Sequence, residues 1–169
     1  RQPPSPAPES PTATSQPKCN ACRDLRLPWS RTVRLGPYEG LLADAVRQVK
    51  FSRWRNLGTH LGRELGIHIR DALDREGRPR ESAVIVPVPM STLHRWSRGI
   101  DHTLVLARAA AREVGCPMVR ALGRAYRPSQ VSVPSSQRRT NVSGAFRLRK
   151  SLEGVGTIVV LDDVRTTGS

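Results

Sequence analysis

The spacing of apolar positions changes along the chain, and each change predicts an element. From Tyr38 onward, Leu41, Leu42, Ala45, Val46 and Val49 recur on one face of a helix, and Leu57, Leu61, Leu65, Ile69 and Leu73 repeat the pattern. Two amphipathic helices are therefore expected in succession, the second broken by residues 77–82. The periodicity then disappears. Ala83-Val84-Ile85-Val86-Pro87-Val88-Pro89 is a short β-branched run that reads as a buried strand ended by proline. A third helix is predicted over 101–114, with Leu104, Ala107 and Ala111 on one face, Asp101 placed to cap its start and Gly115 to end it. Residues 116–122 read as another strand, 123–140 as an Arg/Ser/Pro-rich loop, 144–148 as a short strand and 157–161 as a clear one. Strand, helix, strand order over 83–163 argues an α/β fold with a parallel sheet and crossover helices.

Residues 1–18 are dominated by Pro, Ser, Thr and Ala, which bury too little apolar surface to offset the cost of ordering the backbone, so a disordered tail is expected there. Residues 19–37 separate this tail from the domain, 38–169. At 169 residues and 37% hydrophobic the chain has room for one domain plus the tail. Lys+Arg number 28 against Asp+Glu 14, a net charge of +14, and only Lys18, Lys50 and Lys150 are lysines. Arginine presents a planar fork of donors suited to phosphate, so the excess suits nucleotides, pyrophosphate or nucleic acid; genomic base composition would produce the same bias. Three cysteines make no disulfide framework and no apolar run approaches a membrane helix, so the chain reads as soluble, without membrane insertion, and cytoplasmic.

The strongest chemical signal lies at the end. Ile158-Val159-Val160-Leu161 delivers Asp162 and Asp163, and Thr166-Thr167-Gly168-Ser169 follows. In a parallel α/β sheet the ligand crevice lies outside the carboxyl ends of the strands, where this acid pair emerges. The hydroxyls of Thr166, Thr167 and Ser169, with Gly168 permitting close backbone approach, suit a phosphate cradle. Two adjacent carboxylates suit vicinal sugar hydroxyls and a Mg²⁺ carried on pyrophosphate. A buried strand ending in an Asp-capped turn would account for the strand, but not for the doubled acid followed by that turn.

This segment resembles the 5-phosphoribosyl-1-pyrophosphate (PRPP) motif of type I phosphoribosyltransferases. Residues 38–169 are similar, in the order of several motifs, to the ComF subgroup: Tyr38-Glu39-Gly40 with Val49-Lys50-Phe51, then Val86-Pro87-Val88-Pro89 with Arg95 and Arg98-Gly99, then Gln130, Arg138 or Arg139 with Asn141, then Gly144-Ala145-Phe146. The resemblance implies a phosphoribosyltransferase-like parallel sheet flanked by helices, here expected to be cut at the C-terminus, since the chain stops inside the cradle. It implies Mg²⁺ and PRPP, or another phosphorylated ribose, as ligands, with Asp162 and Asp163 on the ribose. Transfer of the phosphoribosyl group to an unidentified nitrogenous acceptor would follow.

The same resemblance places pyrophosphate near Arg95, Arg98 and Gly99, in the loop after the first strand, although a solvated basic turn would read the same way. It makes the loop carrying Arg138, Arg139 and Asn141 a candidate lid, against which stands a basic loop with no catalytic part. The subgroup usually carries Arg-Gly-Phe-Asn-Gln where this chain has Arg98-Gly99-Ile100-Asp101-His102, which puts any role for the amide pair in doubt. Cys19-Asn20-Ala21-Cys22 is a Cys-x2-Cys knuckle of the kind that supplies half of a tetrahedral zinc site, and the resemblance makes 19–37 a candidate remnant of the zinc ribbon that usually precedes such domains, but no second pair accompanies it. His60 and His68 fall on a predicted helix, where solvation accounts for them. The alternative to catalysis is a competence or DNA-uptake protein that keeps the fold to bind nucleotides or single-stranded DNA, with competence proteins as partners.

Overall fold

The computed structural model describes residues 28–51, 54–90, 101–124 and 144–165. The expected tail over 1–18 and the Cys19/Cys22 knuckle lie outside them. The chain divides into two units at Thr32 and Val33, and every helix and strand described belongs to the second.

Both predicted amphipathic helices form, α1 over Gly40–Phe51 and α2 over Arg55–Arg75. Gly77, at φ 60°, takes the left-handed conformation that closes α2. After a single 3-10 turn at Arg80–Ser82, strand β1 spans Ala83–Pro87 and is buried at all five positions, as a strand covered on both faces must be. Helix α3 covers His102–Val114; the Asp101 side chain accepts from the Leu104 N–H at 3.1 Å, and Gly115 ends the helix at φ 79°.

Residues 116–122 depart from expectation. Residues 116–121 form no strand but make one parallel bridge, Ile85 to Met118, with the Ile85 N–H donating to Pro117 O and the Val119 N–H to Ile85 O. The strand comes later: β2, Leu122–Arg124, pairs antiparallel with β3, Phe146–Leu148. Gly123 and Arg124, expected in the loop, therefore stand in a strand, and the Arg124 guanidinium sits 5.5 Å from the centre of the Phe146 ring. Strand β4, Thr157–Leu161, pairs parallel with β1 from Ala83↔Thr157 to Pro87↔Leu161. β1 is thus central, with β4 on one edge and the Met118 bridge on the other.

One face of β1 and β4 carries Ile85, Val159 and Leu161 into the main core, where they meet Leu106, Ala107 and Ala110 of α3 and Ile69 and Leu73 of α2. On the other face Val84 and Val86 are covered by Ala121, Leu152 and Val155, whereas Ile158 and Val160 of β4 remain exposed. The two long helices run in the same direction and touch through a glycine seam. A Cβ on Gly62 would meet Leu106 O at 2.5 Å and Ala109 Cβ at 2.8 Å, and one on Gly66 would meet Ala110 O at 2.9 Å. Glu113 lies over this seam and receives both Arg63 at 3.3 Å and Arg70 at 2.8 Å.

Candidate functional site

Strand β4 ends at Leu161, and the next two residues are Asp162 and Asp163, so both carboxylates emerge at the carboxyl end of the parallel pair. Their surroundings differ. Asp163 turns inward. Its Oδ2 takes a hydrogen bond from His102 Nε2 at 2.5 Å and an ion pair from Lys50 Nζ at 2.8 Å. Three elements thus converge on one oxygen: the end of α1 through Lys50, the first residue of α3 through His102, and the turn after β4.

His102 is 4% exposed, and its Nδ1 is buried without a hydrogen-bond partner among the described residues. Nε2 is therefore the nitrogen that carries the proton donated to Asp163, the other ring nitrogen having nothing to donate to. Burial alone would raise the Asp163 pKa. The hydrogen bonds from His102 and Lys50, reinforced by the charge of Lys50, outweigh burial and hold it down at about 2.

Asp162 remains exposed. The protein around its carboxyl still excludes part of the solvent, which raises its pKa, and the negative charge of Asp163 raises it further. The Asp163 N–H donates to Asp162 Oδ1 at 2.8 Å and pulls the other way. The pair therefore divides its work. Asp163 is held as an anion by two fixed donors, and Asp162, exposed and bonded only to the Asp163 N–H among the described residues, can accept from hydroxyls or sit beside a cation.

Among the sequence-predicted site residues, Asp162 and Asp163 are the two that are described. Arg95, Arg98, Gly99, Arg138, Arg139, Asn141, Thr166, Thr167, Gly168 and Ser169 lie outside the described residues, as do Cys19 and Cys22. Among the described residues no three His, Cys, Asp or Glu side chains gather as a metal group, and no helix is long and apolar enough to cross a membrane. His60 and His68 are exposed on α2, as the solvated reading expects. Cys116 is buried and unpaired, and burial pushes its thiol pKa up, which makes it a core residue.

Sequence reasoning gave Lys50 and His102 no function. Lys50 stood within Val49-Lys50-Phe51, and His102 stood where the subgroup carries glutamine. Asp101 caps α3 by accepting from the Leu104 N–H, and His102 offers Asp163 an N–H.

A parallel strand pair with an acid pair at its carboxyl end defines an α/β protein with a candidate ligand site at the strand ends. Comparison with known proteins narrows the class. The chain is 30% identical over 161 residues to the DNA utilization protein YhgH of Escherichia coli K12, a match covering 94% of this chain and 70% of that protein. It is 31% identical over 158 residues to the YhgH of Salmonella typhi, covering 89% and 66%, and 27% identical over 157 residues to competence protein F of Haemophilus influenzae, covering 89% and 67%. The chain belongs to the ComF family, which these proteins represent. It spans about two thirds of their length. No family model matches the chain, and no solved structure does.

Proposed function

We propose that the chain handles DNA in competence or DNA utilization through an α/β domain with a candidate ligand site at its strand ends. The observation that carries this reading is the 30% identity to YhgH of E. coli K12 along 94% of the chain. A net charge of +14, most of it arginine, supports it, because neutralised phosphates release counterions and drive binding. Titration calorimetry with a single-stranded oligonucleotide tests it. Saturable binding that weakens steeply with salt is expected; no binding at low salt would remove the reading.

A second reading rests on Asp162. Its outward carboxylate at the end of β4, at the head of the motif Asp162 to Ser169, suits the ribose of PRPP. Mg²⁺ that arrives on pyrophosphate needs one or two carboxylates and otherwise keeps water and phosphate oxygens, and the exposed Asp162 fits that role. Asp163 has Oδ2 committed to Lys50 and His102, so in this reading it orients the turn and leaves the ligand to its neighbour. The reading assigns Thr166, Thr167, Gly168 and Ser169 to the phosphate cradle and Arg95, Arg98 and Gly99 to pyrophosphate. Pyrophosphate would leave C1 as a nitrogenous acceptor bonds to it, beneath a loop carrying Arg138, Arg139 and Asn141. Zinc on Cys19 and Cys22 remains half of a proposed site. Mg-PRPP titrated beside ribose 5-phosphate separates the two readings: saturable PRPP binding supports the site, and its absence leaves DNA handling alone.

A further inference from the structure

The glycine seam that brings α2 and α3 together also creates a groove beside it. Arg55 and Thr59 lie one turn apart on α2, and Val105, Arg108, Ala109 and Arg112 form one stripe along α3; together they line a cavity of about 210 Å³. Three of the six lining residues are arginines, and none is acidic.

Their neighbours are arranged differently. Arg63 and Arg70 share Glu113, Arg78 pairs with Glu76, and Arg80 pairs with Asp74. Arg55, Arg108 and Arg112 make no ion pair among the described residues. An anion bound among them would meet three positive side chains with no acidic competitor in the lining. The start of α2 adds to the positive potential: its first turn has no acidic residue, and Trp54 supplies no side-chain cap. Trp54, immediately before Arg55, is 60% exposed.

We propose that the α2–α3 groove binds the backbone of single-stranded nucleic acid, with Arg55, Arg108 and Arg112 on phosphates and Trp54 as a stacking surface for an unpaired base. This site rests on the DNA-handling reading and gives it an address separate from Asp162 and Asp163. Guanidinium forks match phosphate oxygens two by two. An exposed indole beside a basic groove suits a strand whose base faces are free, and a duplex has no such face to offer it. Contacts to phosphates and a stacked base carry no sequence information, so binding there is expected to be independent of sequence.

Fluorescence anisotropy with a labelled twenty-nucleotide oligothymidylate tests the site over a range of salt. The variant Arg55→Gln/Arg108→Gln/Arg112→Gln keeps good helix formers at exposed positions, and circular dichroism checks that its fold is intact. Its affinity should fall tenfold or more, and the salt slope should drop by about 2, the value for three lost phosphate contacts on a single strand. Trp54→Ala should weaken binding roughly tenfold, the scale of one lost stacked base, and should leave duplex binding unchanged. A control with Arg75→Gln, Arg120→Gln and Arg147→Gln removes the same charge from exposed positions outside the groove. If the control loses as much as the groove variant, diffuse charge explains binding and the site is wrong. If the wild type binds DNA and both groove variants match it, the groove is wrong while the DNA reading stands. If the wild type binds no oligonucleotide, the DNA reading itself fails and the groove goes with it.

Discussion

His102 Nε2 stands 2.5 Å from Asp163 Oδ2, which fastens the first residue of α3 to the turn that follows β4. Lys50 reaches the same oxygen from α1, so an anion at 163 is a condition of this packing.

That condition gives stability a pH dependence with a defined sign. The Asp163 pKa is about 2 in the fold against an ordinary value near 3.9 when unfolded, so the unfolded chain takes up a proton first as pH falls. The contribution is complete above about pH 4 and is lost as pH falls through about 2. A shift of about two pKa units on a side chain only 14% exposed corresponds to roughly 2.5 kcal/mol. Urea unfolding of the wild type and Asp163→Asn should differ by about that amount at pH 6 and converge as pH approaches 2. A gap that stays constant from pH 6 to 2 would show that the ion pair and hydrogen bond do not couple to folding.

Asp162 has the opposite sign. Its pKa is raised by burial and by Asp163, so its favourable contribution belongs to the protonated form and disappears as pH rises through the folded pKa. At pH 7 the ionised group opposes folding. Asp162→Asn should therefore have an equal or higher thermal midpoint at pH 7 while losing affinity for Mg-PRPP. Calorimetric unfolding together with PRPP titration reads both; a lowered midpoint would mean that Asp162 supports the fold and is not poised for a ligand.

The division between the two acids explains what the sequence could and could not show. The run Ile158 to Asp163 announced a strand with carboxylates at its end, because strand period and motif are local. Lys50 and His102 were invisible as partners because their roles arise only when α1, α3 and β4 pack together. Local preference also misplaced the segment after α3. Leu122-Gly123-Arg124 has no β-branched residue and acquires strand geometry from its pairing with Phe146–Leu148, whereas residues 116–121, which include Val119, make the single parallel bridge at Met118. Gly58, Gly62 and Gly66, four residues apart on one helix face, were a legible sign of a close helix contact that the count of apolar positions passed over.

Replacements at 102 separate hydrogen bonding from histidine chemistry. A glutamine amide can donate to Asp163 as the imidazole does, so His102→Gln should cost less than about 1 kcal/mol and leave the Asp163 carboxyl pKa low. His102→Ala leaves a buried carboxylate short of a donor and a space where the ring stood, and should cost roughly 2–3 kcal/mol. Denaturant unfolding at pH 7 checks both, and carboxyl NMR titration follows Asp163. A glutamine variant as damaged as the alanine one would mean that the ring is needed for its shape or its second nitrogen.

The glycine seam yields a prediction in which helix propensity and packing oppose each other. Glycine inside a helix costs about 1 kcal/mol relative to alanine, so Gly→Ala on an open face of α2 would stabilise it. At Gly62 the added methyl would lie 2.5 Å from a backbone carbonyl oxygen, Leu106 O, and 2.8 Å from Ala109 Cβ, and neither can swing aside without moving α3. At Gly58 the nearest atoms are side-chain methyl carbons of Val105 and Val49, at 3.1 and 3.2 Å, which need to give only a few tenths of an ångström. Gly62→Ala should therefore destabilise by roughly 1–3 kcal/mol, the usual cost of overpacking, while Gly58→Ala stays within about 1 kcal/mol of the wild type. Because α3 carries His102 at one end and Arg108 and Arg112 along its length, displacing it at Gly62 should also weaken oligonucleotide binding. Thermal unfolding and anisotropy on the two variants measure this together, and a Gly62→Ala protein as stable as the wild type would show that the helices are not held at backbone contact.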